Sequence, residues 1–207
     1  MAVGFANGSV TVIRGDVIHD RGTKQRIVYE SEEPITGVEL NVDSKLTTLF
    51  VSTVSRILKL VILGKGQGQP PKTVEDSGCG LNCMTVNPKT GDVVVARDDA
   101  IYYYTLDGRG PPRAYESPKS RIAVYQDYVG IVSRPQNSAV RDPSSIQRQF
   151  SSQAADDIFN TSQFSLLETD LKLIAHSEAV VSGVKAIFQM GGDLFTLTED
   201  GKVSRGC

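Results

Sequence analysis

Asp92-Val93-Val94-Val95-Ala96-Arg97-Asp98-Asp99-Ala100-Ile101-Tyr102-Tyr103-Tyr104 is two β-runs folded around a tight polar turn. Val, Ile and Tyr suit the pleated surface of a sheet, and paired aspartates suit the turn between strands. Upstream, Thr48-Leu49-Phe50-Val51-Ser52 turns near Val54-Ser55 into Arg56-Ile57-Leu58-Lys59-Leu60. Further upstream, Ala2-Val3-Gly4-Phe5 turns at Ala6-Asn7-Gly8 into Ser9-Val10-Thr11-Val12-Ile13. Downstream, Asp193-Leu194-Phe195-Thr196-Leu197 turns at Glu199-Asp200-Gly201 into Lys202-Val203. The unit returns about every 45 to 50 residues, the spacing of propeller blades. The expected fold is all-β, a partial β-propeller of about four to five four-stranded blades. With no tryptophan in the chain, it is of a non-WD type. The Asn-Gly and Asp-Gly pairs predict two-residue hairpins, whose central residues need positive φ.

Fainter outer strands fill the intervals. Gln25-Arg26-Ile27-Val28-Tyr29 and Ile35-Thr36-Gly37-Val38-Glu39-Leu40 lie between the first two hairpins, residues 81–86 open a third blade, and 121–126 with 128–132 open a fourth. Residues 166–175 fit a strand or a helix equally well. Residues 134–157 are rich in Ser, Gln, Arg and Pro and have little to bury. They are expected to form a disordered insertion between two strands of one blade, either a passive loop or a partner-binding or phosphorylated one. Residues 64–71 form a shorter flexible connection. The whole of 1–207 is thus expected to be one partial propeller domain.

Composition excludes several function classes. Lys and Arg number 22 against 24 Asp and Glu, which leaves no electrostatic footprint for nucleic acid. No apolar run reaches membrane-spanning length, Lys59 interrupting the longest, and the start lacks the pattern of a signal peptide. Three cysteines do not make a disulfide framework.

The motifs that suggest chemistry fail on their context. Gly64-Lys65-Gly66-Gln67-Gly68 follows a β-run, but Pro70-Pro71 prevent the helix that a phosphate loop must open. Asp76-Ser77-Gly78 matches the aspartic-protease triplet, yet that chemistry shares a proton between two carboxylates and no second copy exists. Cys79 and Cys83 are spaced as C-x3-C, but a structural zinc takes four ligands and His19, His176 and Cys207 are scattered. Buried free thiols are expected instead. His19 sits in a mixed-charge run typical of a solvated loop, and no nucleophile elbow accompanies His176. Tyr102-Tyr103-Tyr104 alternates faces, so at least one tyrosine is expected inward and at least one outward. No catalytic, cofactor-binding or metal residue is therefore assigned, no cofactor is expected, and the protein-binding residues are left open.

The residues also resemble a known family, that of vacuolar protein sorting-associated protein 11, a core subunit shared by the HOPS and CORVET tethering complexes. The likeness is to fungal members. It rests on Val3-Gly4-Phe5-Ala6-Asn7-Gly8-Ser9-Val10, on Gly78-Cys79-Gly80-Leu81-Asn82-Cys83, on Arg97-Asp98-Asp99-Ala100-Ile101-Tyr102-Tyr103-Tyr104, and on Gly192-Asp193-Leu194-Phe195-Thr196-Leu197-Thr198-Glu199-Asp200-Gly201-Lys202-Val203. The resemblance implies a non-enzymatic interaction scaffold in vesicle-mediated protein transport and membrane fusion. It implies sister tethering subunits as protein partners, with Rab GTPases and SNAREs as indirect ones. The implied location is cytoplasmic, peripheral on late endosome and vacuole or lysosome membranes through the complex. The family's helical solenoid and RING domain would lie beyond Ser204-Arg205-Gly206-Cys207, so no solenoid or RING role is expected of these residues. The alternatives are a propeller-borne hydrolase and a propeller that binds a peptide or a lipid headgroup. Against the hydrolase, inner-strand positions such as Phe50, Val93, Val95 and Leu194 are apolar, where an active site would converge titratable groups.

Overall fold

A computed structural model describes residues 1–19, 21–42, 46–62, 69–105, 108–125, 128–133, 163–168, 178–182, 184–190, 193–198 and 200–205. Every regular element among the described residues is a β-strand, and the strands form five antiparallel sheets. Within each sheet, strands adjacent in sequence are mostly adjacent in space, the meander of a propeller blade. The chain divides into two compact units, Met1–Ala96 with Ile101–Arg113, and Arg97–Ala100 with Ala114–Cys207.

The first unit carries three sheets. The first is β1 (Ala2–Gly4), β2 (Ser9–Asp16) and β3 (Arg21–Glu30). The second is β4 (Gly37–Val42), β5 (Thr47–Ser52), β6 (Ile57–Ile62) and β7 (Lys72–Glu75), in that order. The third is ordered β11 (Gly108–Arg109), β10 (Ala100–Thr105), β9 (Val93–Ala96), β8 (Met84–Val86), and β12 (Arg113–Ala114) also pairs with β10. Alternation decides what each face buries. Leu49 and Val51 of β5, with Leu58, Leu60 and Ile62 of β6, pack against Val10 and Val12 of the first sheet. Each such fully buried side chain stabilises by about 1.5–3 kcal/mol. Phe50, Lys59 and Ile57 take the opposite face.

The second unit carries two sheets. One is β13 (Lys119–Tyr125), β14 (Tyr128–Ser133), β15 (Gln163–Glu168) and β16 (Glu178–Ser182); the other is β17 (Val184–Met190), β18 (Asp193–Thr198) and β19 (Val203–Arg205). Their core joins Val132 and Phe164 to Val184, Ile187 and Leu194. β14 and β15 pair directly, so residues 134–162 connect two neighbouring strands of one sheet. The insertion expected at 134–157, the flexible connection at 64–68, the end of the ambiguous segment at 169–175, and His176 and Cys207 lie outside the described residues.

Two expectations are corrected. The Asn-Gly and Asp-Gly pairs do not close two-residue hairpins. Phe5 and Ser9 pair across a three-residue loop, with Gly8 N donating to Phe5 O at 3.1 Å and only Gly8 left-handed, at φ 85°. Thr198 and Lys202 repeat the arrangement around Gly201 at φ 83°. A type I turn completed by a left-handed glycine needs one positive φ, so the residue before the glycine is spared that strain. Among the described residues, Val54-Ser55 and Asp98-Asp99 do form two-residue loops, closed by Thr53 N to Arg56 O and Arg97 N to Ala100 O, both 3.0 Å. The tyrosine triplet is the second correction. Tyr102, Tyr103 and Tyr104 are all buried, because both faces of this strand are covered.

Candidate functional site

The first unit contains a cleft of about 570 Å³ between its second and third sheets. Strand register builds it. Glu39 of β4 faces Phe50 of β5, Phe50 faces Lys59 of β6, and Lys59 faces Lys72 of β7. This gives one cross-strand row of acid, aromatic, base and base on one sheet face. The Lys59 ammonium lies 5.8 Å from the centre of the Phe50 ring, its stem covering apolar surface while its charge stays at the cleft. Val93 and Tyr104 line the cleft from the third sheet, and Lys89 lines it from the turn before β9. Its described lining thus holds three lysines and no carboxylate.

One end of the cleft is tied shut. The Tyr104 hydroxyl donates to Glu75 Oε2 at 3.1 Å, and Arg109 Nη1 lies 3.6 Å from the same oxygen. Arg109 also stacks over Tyr102, at 4.7 Å from the ring centre. Glu75, charged where a strand would ordinarily place an apolar side chain, therefore joins β7 to β10 and β11. At the head of the row, burial alone pushes the Glu39 carboxyl up to about 7. Burial also raises the Tyr103 phenol above its ordinary value, and the Arg113 charge opposes that shift.

The motifs weighed in the sequence do not gather here. Gly78 packs against the Thr53-Val54 turn so closely that a Cβ would lie 1.9 Å from Thr53 O, and Cys79 N donates to that oxygen at 3.1 Å. The glycine of the protease-like triplet therefore serves backbone packing. Cys79 and Cys83 are buried free thiols. His19 is exposed, its Nδ1 2.8 Å from Asp16 Oδ2, and that contact holds the Asp16 carboxyl below its usual range. Among the described residues no three His, Cys, Asp or Glu side chains converge as a metal site would require. Sequence reasoning missed the lysine row. Its signal was Lys59 inside the otherwise apolar run Ile57-Leu58-Lys59-Leu60, opposite Phe50, but the third sheet's contribution to the cleft leaves no mark in that run.

Residues 1–206 match the family model described as PEP5/VPS11 N-terminal. The chain belongs to that family. It is 34% identical over 206 residues to the vacuolar protein sorting-associated protein 11 homolog of Homo sapiens, covering 98% of this chain and 21% of that protein. The Mus musculus homolog is 32% identical over 205 residues, with the same coverage. The Arabidopsis thaliana homolog is 30% identical over 131 residues, 62% of this chain and 14% of the other. This member of the PEP5/VPS11 family thus spans about a fifth of the length of the first two relatives. In structure it is similar to putative TolB from Agrobacterium tumefaciens, with a TM-score of 0.55, 15% identity, and coverage of 96% of this chain and 69% of that one. The expected fold class is borne out: the family member is an all-β partial β-propeller.

Proposed function

We propose that this chain is a propeller module of an interaction scaffold that tethers membranes before fusion in vacuolar protein sorting. The observation that carries this reading is the family match across residues 1–206. A platform of antiparallel sheets with a lysine-lined cleft supports it, because such a surface offers recognition without requiring chemistry. On this reading the chain is not an enzyme. Its direct partners are sister subunits of HOPS- or CORVET-type complexes, and Rab GTPases and SNAREs are reached through them. It works at the cytoplasmic face of late endosomes and vacuoles or lysosomes, held there by the complex. No helix among the described residues is long and apolar enough to cross a membrane. Residues 1–207 act as one module, with 134–157 an insertion between two strands of one blade.

The test is affinity purification of the tagged protein from cells, with vacuolar delivery of a cargo protein followed in parallel. Sister tethering subunits are expected in the eluate, and deletion of residues 1–206 is expected to slow delivery. An eluate without those subunits, together with undisturbed delivery after the deletion, overturns the scaffold reading.

A further inference from the structure

We propose that the tip of the β2–β3 hairpin dips into an anionic lipid surface, with Val17 and Ile18 among the acyl chains and Arg14, Arg21 and Lys24 on the headgroups. The inference rests on the reading that this chain works at membranes, and it adds a direct lipid contact to attachment through the complex. Three observations carry it. First, the hairpin outruns its core. On β2 the buried positions end at Val12, and Arg14, Gly15 and Asp16 are all exposed. On β3, Arg21, Gly22, Lys24, Gln25 and Arg26 are exposed and only Thr23 between them is half-buried. Successive residues of a strand point to opposite faces, so this part of the ribbon is bare on both. Second, the turn at its end presents two adjacent aliphatic side chains, Val17 at 43% and Ile18 at 89% exposure. Exposed aliphatics scattered singly are ordinary on a surface, so the charges behind them decide the reading. Third, Arg14 and Lys24 stand directly opposite each other across the ladder. Like charges so placed repel, and neither has an ion pair among the described residues. Arg21 adds a third positive charge beside the turn. The Asp16 carboxylate is taken up by the turn itself: Oδ1 accepts Ile18 N and His19 N, both at 3.1 Å, and Oδ2 lies 2.8 Å from His19 Nδ1. Residues 14–26 hold Arg14, Arg21, Lys24 and Arg26 against Asp16 and Asp20, a balance of +2 in a chain of −2.

The spacing fits the layering of a bilayer. Arg14 and Lys24 stand behind Asp16 by about 7 Å along an extended strand. An apolar tip seated about 5–10 Å below the headgroup boundary therefore leaves that pair at headgroup level. There each basic side chain is attracted to an anionic leaflet. Other anionic occupants fit less well. Nucleic acid would make no use of Ile18 and would need a longer basic track than this nearly neutral chain supplies. A protein would need an apolar pocket with an acidic rim, whereas an anionic bilayer offers that layering to a basic-shouldered tip over its whole surface.

The test uses the 207-residue chain, which has no tryptophan, so Ile18→Trp places its sole tryptophan at the tip. With vesicles of phosphatidylcholine and phosphatidylserine, its emission is expected to shift to the blue and to be quenched by brominated acyl chains. Vesicles of phosphatidylcholine alone are expected to leave it unchanged. In sedimentation with the mixed vesicles, Ile18→Ser is expected to lower the partition of the chain about tenfold, the effect of one aliphatic side chain no longer leaving water. Lys24→Glu is expected to lower it by about tenfold or more, since an attraction becomes a repulsion. Lys72→Glu changes net charge equally on exposed β7, away from the hairpin, and is expected to keep the partition within about twofold. Circular dichroism melts of the variants establish that each is folded. Sedimentation with the mixed vesicles and no blue shift overturns the proposal, since the tip would then stay in water. Equal weakening by Lys72→Glu also overturns it, because attraction would be diffuse. So does an absence of sedimentation together with loss of sister subunits from the Ile18→Ser eluate, which would assign the tip to a protein. If sister subunits co-purify with parent and variants alike while none sediments with vesicles, the lipid contact falls and the scaffold reading stands.

Discussion

Two regions use lysine in opposite ways. In the first unit, Lys59, Lys72 and Lys89 stand along a cleft with no carboxylate in its described lining. In the second unit, Lys119 is 2% exposed and its ammonium donates to a ring of backbone carbonyls. The acceptors are Arg97 O, Asp98 O at 3.1 Å, Tyr115 O at 2.5 Å and Ser117 O at 2.8 Å, and the Tyr115 ring lies 5.1 Å away. Tyr115 N and Ser117 N donate back to Asp99 O and Asp98 O, at 3.2 and 2.9 Å. The lysine thus clamps the Arg97–Ala100 turn to the segment before β13, which explains why that turn belongs with the second unit. A buried charge held by this many acceptors is part of what holds the fold together, whereas an exposed charge such as Lys72 contributes little to stability.

The largest expected effect breaks the matched side of this contrast. Lys119→Met keeps the stem's volume and removes the ammonium, leaving buried carbonyls short of a donor. Destabilisation of about 3 kcal/mol is expected, the upper end of the cost of leaving buried acceptors without their donor. In a chain of this size that lowers Tm by roughly 10 °C, readable in a thermal melt. Lys119→Arg sharpens the point: its planar fork cannot reach carbonyls arranged around a single point, so it should recover less than half of the loss. A melt unchanged by Lys119→Met would mean that the carbonyl ring contributes nothing net.

The legibility of these features in the sequence follows the range of the interactions. Hairpins were readable because alternation and turn chemistry are local: Val93 to Tyr104 announces two paired strands without reference to anything else. The three-residue loops were misread because Asn-Gly suits both loop lengths, and the choice is made by how Phe5 and Ser9 pair. The tyrosine triplet was misread because alternation fixes which face each ring takes but not what covers that face. Lys119 was invisible: Ser117-Pro118-Lys119-Ser120 reads as a polar loop, and its acceptors at Arg97 and Asp98 lie 22 and 21 residues away. The lysine row was half legible, since Lys59 breaks an apolar run, but its position opposite Lys72 depends on the register of β7.

Glu39 tests the same rule with the opposite sign of charge. It is a half-buried acid whose shift has burial as its only cause, where Lys119 is ringed by partners. Its folded value of about 7 lies above the ordinary 4.5. Below pH 4.5 the carboxyl is protonated in both states and costs nothing. Between about 4.5 and 7 the unfolded chain releases the proton while the fold retains it, so stability falls as pH rises through that window and stays lower above it. Glu39→Gln removes the titration. It should match the parent near pH 4.5 and exceed it by about 2 kcal/mol at pH 8, by urea unfolding at the two values. Parallel pH profiles for the two proteins would show that Glu39 ionises in the fold as it does in the unfolded chain.

The smallest expected effect falls on the unmatched side. Lys72→Met is chemically the same change as Lys119→Met, made where the ammonium has no ion pair among the described residues. The stability change should stay within about 0.5 kcal/mol, as for exposed substitutions generally. Its sign should be favourable, because Lys59 and Lys72 are direct cross-strand neighbours and like charges so placed repel. The gain should grow as salt is lowered from 0.15 M to 0.01 M, where the screening length lengthens from about 8 to about 30 Å. A loss exceeding about 1.5 kcal/mol would place Lys72 among the residues that hold the fold. A small, salt-sensitive gain means instead that Lys59 and Lys72 keep a repulsion the fold does not need.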